Sequence, residues 1–507
     1  MNKIFLLFLS IGILTVSKAQ GVSSFNYVDI NQDALTVPLS QTGGNYFNAY
    51  NLSVMDMAQR LSDVFKNGES NKTYQINNFI QVTKAAYSPD NSQMLIIEPM
   101  FASDRKRCIF LTNGNGENFS WSQSNRTAID YALRGYVVAY YENAGSVAKR
   151  FDGKGNTVNF YTNKVINQVN AFTAKDKFLA TMYVNLFLTN AARKFVVEHS
   201  ARLSVDTTKM FTVGGSLGAN ASLFFTYADD NNFKHPLYAG VRNKLNFNQA
   251  FNNNGIIGVA AFGGGLPGPN EGVGEIINQQ DKTPAFFFSG ALDWVVNPNK
   301  TTILGPENWG PLALKSSMDA NNIPYSIYIN AYGTHVFQTP SFKQTWGSLP
   351  NLRSSNTENE KIAANRTDSY AKANLINLLM YQYENTQMHE AGKMTATYFN
   401  AIATNSVPNS SVNYVEPKCI QNTIFYQYSI GKLSIDKAAK CYTQNPNSAE
   451  INRSLDKVTS TCMDGTFIPY SKPVSDKTII PDNFMAPGKG LVKLVNFLEV
   501  LNKMGKR

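Results

Sequence analysis

The sequence predicts an α/β protein built on a mostly parallel, doubly wound sheet with helices on both faces, and three observations carry that expectation. Short runs that are apolar nearly throughout recur along the chain, among them Met94–Glu98 (MLIIE), Cys108–Thr112 (CIFLT), Tyr136–Tyr141 (YVVAYY) and Ile256–Phe262 (IIGVAAF). Helix-compatible segments separate them, which is the pattern of strands buried on both faces. The stretch Lys209–Phe225 (KMFTVGGSLGANASLFF) compresses a β-favouring run, a glycine-rich turn and a helical segment into one continuous unit. Finally, 507 residues are more than one such core needs at ~250–300, so further material beyond the main domain is expected.

The chain opens MNKIFLLFLSIGILTVSKAQ: a lysine, an apolar run from Ile4 to Val16, then Ser17 and Ala19 at the −3 and −1 positions of a cut after Ala19. Residues 1–19 therefore read as a secretory signal peptide, too short to be retained as a membrane span, and imply a secreted or periplasmic protein. No cysteine follows the cut, which argues against a lipid anchor, and no other stretch reaches ~18 uninterrupted apolar residues, so no integral membrane span is expected. Residues 20–390 read as the main domain and 391–507 as a C-terminal extension, mainly helical.

Gly21–Asn91 is a lead-in of mixed pattern with a helix-like segment near Met55–Phe65. The regular alternation starts at Gln93: the strands named above, with a helix over Thr127–Leu133 before Tyr136. Residues 146–173 form an insertion with no clear strand, in a region where such folds vary their loops. A long amphipathic helix follows over Ala174–His199, then the strand at Met210–Val213. Further strands are Ile256–Phe262, Pro284–Phe288 (PAFFF) and Tyr325–Ile329 (YSIYI), with a helix over Leu312–Ala320 between the last two. A closing core helix is expected within Ser369–Glu384, and shorter ones near Ser434–Lys440 and Ala449–Val458. Leu491, Leu494, Val495, Leu498 and Leu501 give a terminal helix over Leu491–Met504 an apolar face, read as packing onto the main domain, with membrane-surface binding as the alternative.

Composition narrows the function classes. The net charge of +10 is dispersed, with no basic run longer than Arg105-Lys106-Arg107, which speaks against nucleic-acid binding. Four cysteines occur, at 108, 419, 441 and 462. Cys108 lies inside a strand pattern and reads as a small buried hydrophobe, while Cys419, Cys441 and Cys462 allow one disulfide without indicating which pair. Neither the histidines nor the acids show metal-ligand spacing such as H-E-x-x-H, so no metal and no cofactor is expected.

The chemistry gathers at Gly214-Gly215-Ser216-Leu217-Gly218. A nucleophilic serine at a strand-to-helix turn needs small residues two positions away on either side, and Gly214 and Gly218 supply them. The pattern Gly-x-Ser-x-Gly between strand and helix resembles the nucleophile motif of the α/β-hydrolase superfamily, serine esterase or lipase-like in kind, whose members follow the serine with an acid and then a histidine. Asp293 in Ser289-Gly290-Ala291-Leu292-Asp293, directly after PAFFF, resembles the acid loop, with Glu271 and Glu275 in the preceding loop as alternatives. His335, shortly after YSIYI, sits where the histidine falls, whereas His199, His235 and His389 do not. The resemblance implies Ser216 as nucleophile, His335 as base and Asp293 as its support. It also implies an oxyanion hole made by the backbone N–H of Leu217 and a donor in Asn113-Gly114-Asn115-Gly116, with Asn115 first and Gly116 second. The expected activity is hydrolysis of a small-molecule or polymeric carboxylic ester through an acyl-enzyme. A serine peptidase of the same superfamily and a non-catalytic binding protein on the same fold are the alternatives.

Overall fold

The computed structural model describes most of residues 57–330, then His335, 391–417 and 467–469. Its backbone is an eleven-stranded sheet among the described residues. In chain order the strands are β1 (Thr73–Gln75), β2 (Ile80–Ala86), β3 (Gln93–Pro99), β4 (Lys106–Thr112), β5 (Val137–Tyr141) and β6 (Val205–Gly215). They continue with β7 (Ile256–Phe262), β8 (Ala285–Gly290), β9 (Tyr325–Asn330), β10 (Ser411–Pro417) and β11 (Phe467–Pro469). Across the sheet the order is β1-β2-β3-β5-β4-β6-β7-β8-β9-β10-β11. The central strands β5, β4, β6, β7, β8 and β9 run parallel to one another, and β3 runs against both β2 and β5.

The apolar runs form strands because each face of the sheet has its own core. Cys108, Phe110, Val137, Ala139 and Phe287 point toward the face covered by the long helix Ala174–Glu198 and by helix Leu217–Tyr227. Ile109, Leu111, Val138, Phe211 and Val213 point toward the opposite face, where helix Gln123–Leu133 and a helix over 391–403 lie. Alternate side chains feeding two cores explain why these strands carry no polar face to read. The long helix starts with a capping box: the Thr173 side chain accepts from the Asp176 N–H at 3.0 Å, and the Asp176 carboxylate accepts from the Thr173 N–H at 3.1 Å.

Two expectations need correction, on the insertion and on the boundary at 390. The lead-in, read only as mixed pattern with a helix-like segment, has helix over 60–67 and joins the sheet. It contributes β1 and β2, paired antiparallel in register from Thr73 opposite Thr83. The insertion contains a two-residue ladder, Arg150–Phe151 against Thr157–Val158, too short to leave a periodicity in the sequence. And residue 390 does not mark the end of the core. The helix over 391–403 stacks Phe399 on Phe211 with ring centroids 4.1 Å apart, and Arg107 Nη1 donates to Asn400 Oδ1 at 2.8 Å. A Cβ on Gly392 would come 2.5 Å from Asp130 Oδ2, so that helix seats by its glycine. After it, β10 adds to β9 in parallel, and β11 pairs with β10. The described part of the extension is thus strand as well as helix. The expected helices over Ser369–Glu384, Ser434–Lys440, Ala449–Val458 and Leu491–Met504 lie outside the described residues, as do Cys419, Cys441 and Cys462. Among the described residues no helix is long and apolar enough to cross a membrane.

Candidate active site

Strand β6 ends at Gly215 and helix Leu217–Tyr227 begins two residues later, leaving Ser216 alone to make the turn. It does so at φ 53° and ψ −122°, a left-handed backbone that costs a non-glycine residue about 1–3 kcal/mol and persists only where the surroundings hold it. They do. The Ser216 N–H donates to the Phe262 carbonyl of β7 at 2.9 Å, and the Ser216 carbonyl accepts from the N–H groups of Ala219 and Asn220 at 2.9 and 3.1 Å. The turn also brings Gly214 against Gly218: a Cβ on Gly214 would lie 2.2 Å from the Gly218 carbonyl group. Glycine at 214 is therefore a packing requirement of the elbow.

Two loops at the carboxyl ends of β8 and β9 complete the site. Asp293 is fully buried just beyond β8, and its Oδ1 accepts from the N–H groups of Val295 and Val296, both at 2.9 Å. Its Oδ2 lies 2.9 Å from His335 Nδ1, and His335 Nε2 lies 2.7 Å from Ser216 Oγ. Since a carboxylate in contact with backbone donors can only accept, Nδ1 carries the proton toward Asp293, which leaves Nε2 as the acceptor for the Ser216 hydroxyl. The His335 side chain is only 15% exposed. The three side chains singled out by chain order are thus brought together, with Ser216 able to pass a proton to a ring whose far side is held by an enclosed carboxylate.

The other named positions are placed as follows. Leu217 opens the elbow helix, where the first N–H groups have no intrahelical acceptor. Asn115 and Gly116 lie outside the described residues. Glu271 is engaged elsewhere: its Oε2 pairs with Lys175 Nζ at 2.9 Å and its Oε1 accepts from the Glu307 N–H at 2.8 Å. Among the described residues no group of three or more His, Cys, Asp or Glu side chains could hold a metal ion.

Sequence reasoning missed the asparagines around this site. Asn297 is buried and anchors the acid loop, its Oδ1 accepting from the Asn299 N–H at 2.9 Å. Asn220, four residues after Ser216, accepts the Gly265 N–H on its Oδ1 at 2.8 Å. A lone amide amid Ala219, Ala221 and Leu223 was a signal available in the sequence, because a fully buried polar side chain needs a partner.

The eight central strands run in the order β2-β3-β5-β4-β6-β7-β8-β9 with only β3 reversed, and the serine elbow follows the fifth position of that series. The fold is that of the α/β hydrolases. Solved α/β-hydrolase-fold proteins overlap it at low identity. Enzyme MGS-M1 from a Medee basin deep-sea metagenome library is 11% identical, with a TM-score of 0.34, over 57% of this chain and 97% of that one. Esterase B from Lactobacillus rhamnosis, in an inhibited form, is 11% identical with a TM-score of 0.35 over 70% and 96%. Esterase Est22 is 12% identical with a TM-score of 0.28 over 60% and 89%. At such scores these overlaps decide nothing about this α/β hydrolase fold beyond what its strand order already states. No protein-family model and no curated protein sequence matches the chain.

Proposed function

We propose that this protein is a serine hydrolase of carboxylic esters, working through an acyl-enzyme. The observation that carries the reading is the unbroken hydrogen-bonded line from Ser216 Oγ through the His335 ring to Asp293, anchored on a serine held in a left-handed turn. In this scheme Ser216 Oγ attacks the ester carbonyl carbon while its proton passes to His335 Nε2. Asp293 Oδ2 stabilises the imidazolium through Nδ1–H. The carbonyl oxygen becomes an oxyanion bound by the Leu217 N–H and a donor from the loop after β4, for which Asn115 is our choice. Collapse expels the alcohol, which takes the proton from His335 Nε2. Water then attacks the acyl-enzyme with the same base, releasing the acid and restoring the Ser216 hydroxyl. No metal or cofactor takes part. On the strength of residues 1–19 we assign the enzyme to the secreted or periplasmic space.

The test is hydrolysis of p-nitrophenyl esters of increasing chain length beside aminoacyl amides, with labelling by a fluorophosphonate. Wild-type protein is expected to cleave the esters and take up the label, and Ser216→Ala to lose both while melting at a similar temperature. Undiminished labelling of Ser216→Ala would overturn the assignment.

A further inference from the structure

Between the helix that carries Ser216 and the segment that carries Asp293 lies a second, buried connection. After β7 the chain runs through Gly263-Gly264-Gly265 into Leu266–Pro267, which pairs with Asn308–Trp309, and that strand pairs in turn with Lys300–Thr301. This three-stranded sheet is continuous with the acid loop. Lys300 follows Asn297-Pro298-Asn299, the Gly310 N–H donates to the Asn299 carbonyl at 2.7 Å, and the Leu312 N–H donates to the Pro298 carbonyl at 2.8 Å.

The elbow helix reaches this sheet through amides. Gly265 N–H can only donate, so the Asn220 atom facing it at 2.8 Å is oxygen, and the other terminus of that side chain is the NH2 group. Asn220 Nδ2 then points at Asn308 Oδ1, 3.4 Å away. Both asparagines are completely buried, and among the described residues Asn308 Nδ2 has no hydrogen-bond partner. A Cβ on Gly265 would come 2.8 Å from Asn308 Nδ2, and one on Gly264 2.2 Å from the Ala219 Cβ, so two glycines let the loop close on the helix and on Asn308. A buried amide left partly unsatisfied costs stability, whereas a pair of apolar side chains in the same space would cost little.

We propose that Asn220 and Asn308 are positioning residues, holding the Ser216 helix at a fixed distance from the Asp293 segment so that His335 spans two anchored points. This deepens the serine-hydrolase reading and rests on it. A displacement of the nucleophile relative to its base by about 1 Å is enough to cost on the order of 100-fold. Loss of the amide contact is therefore read in turnover per active site, not in affinity for the ester.

The experiment compares Asn220→Ala, Asn308→Ala and the double variant with wild type on p-nitrophenyl butyrate. Active sites are counted by fluorophosphonate burst, and thermal melts run in parallel. Each single variant is expected to lower kcat per titrated site by about 10- to 100-fold with KM within about 2-fold, and to slow fluorophosphonate uptake by the same factor. The double variant is expected to be no worse than the worse single one, because the two act as a unit. Asn308→Ala leaves the elbow helix itself untouched, so it stands as the test if Asn220→Ala fails to fold. Wild-type kcat per titrated site in Asn308→Ala, whatever its melting temperature, would overturn the proposal. Ser216→Ala in the same series separates the two readings: if it is inactive while Asn308→Ala turns over normally, only the positioning role falls. If Ser216→Ala still hydrolyses ester, the nucleophile assignment falls and the positioning role with it.

Discussion

Asp293 gives one carboxylate oxygen to the backbone and the other to His335. Oδ1 accepts from Val295 and Val296 N–H, and Oδ2 faces His335 Nδ1 at 2.9 Å. The division fixes what an isosteric change does. In Asp293→Asn the backbone donors still require an oxygen, so the new NH2 group must face His335 Nδ1. The ring then has to accept there and carry its proton on Nε2, pointing at Ser216, where a base is needed. A loss of about 10⁴-fold in kcat/KM is expected with little change in melting temperature. The double variant with His335→Ala should be little worse than the worse single one, since both remove the same proton transfer. Glu271→Gln and Glu275→Gln serve as controls. Near-normal rates in Asp293→Asn beside a large loss in either glutamine variant would move the acid to the earlier loop.

Much of this arrangement is readable from the chain because the central strands are buried on both faces. MLIIE, CIFLT and IIGVAAF announce themselves by apolar content alone, and an acid or histidine just past such a run has few places to go. The same physics hides the edges. Strand β2 reads IQVTKAA, with Lys84 reaching the Phe65 and Gly68 carbonyls, so it has no uniform run to find. Strand β10 reads SVNYVEP and lies near the sheet's margin, where Ser411 to Tyr414 are each only half-buried and no apolar run is required. The Asn220–Asn308 contact joins residues 88 positions apart through side chains that look like ordinary loop and helix asparagines, and only tertiary packing brings them together.

Two glycines should respond oppositely to a methyl group. At Gly214 a Cβ would fall 2.2 Å from the Gly218 carbonyl group, backbone against backbone, with no side chain free to yield. Gly214→Ala is expected to disrupt the elbow, costing several °C in melting temperature and at least an order of magnitude in kcat. At Gly240, inside helix Pro236–Lys244, the new methyl would meet only Val169 at 3.4 to 3.5 Å, an ordinary contact. Gly240→Ala should stabilise the protein by about 0.5–1 kcal/mol, because alanine loses less backbone freedom on folding into a helix. Differential scanning calorimetry of both variants decides. Equal stability in the two would mean that the Gly214 contact relaxes at no cost.

Far from the site, Asp281 lies half-buried near Asp229, and its Oδ2 accepts from the Asn278 N–H at 2.8 Å while Asp229 Oδ2 accepts from Asn278 Nδ2 at 2.8 Å. Burial pushes the Asp281 carboxyl up to about 6, with repulsion from Asp229 adding to it and the Asn278 N–H opposing. The sign follows from linkage. An acid with a raised folded-state value binds more protons when folded than when unfolded, so stability is full below the ordinary value of 3.8 and is lost as pH rises through about 6. Above that, the ionised carboxylate is a standing cost, on the order of 1 kcal/mol once screening by solvent at a partly open position is allowed for. Asp281→Asn keeps an oxygen for the Asn278 N–H and removes the charge. It should therefore raise stability at pH 8 by about that amount and give no advantage at pH 4, where the wild-type carboxyl is largely protonated in the fold. Urea denaturation of both proteins at the two pH values reads the difference directly. A variant that is no more stable than wild type at pH 8 would show that the Asp281 carboxylate is solvated well enough to ionise without cost.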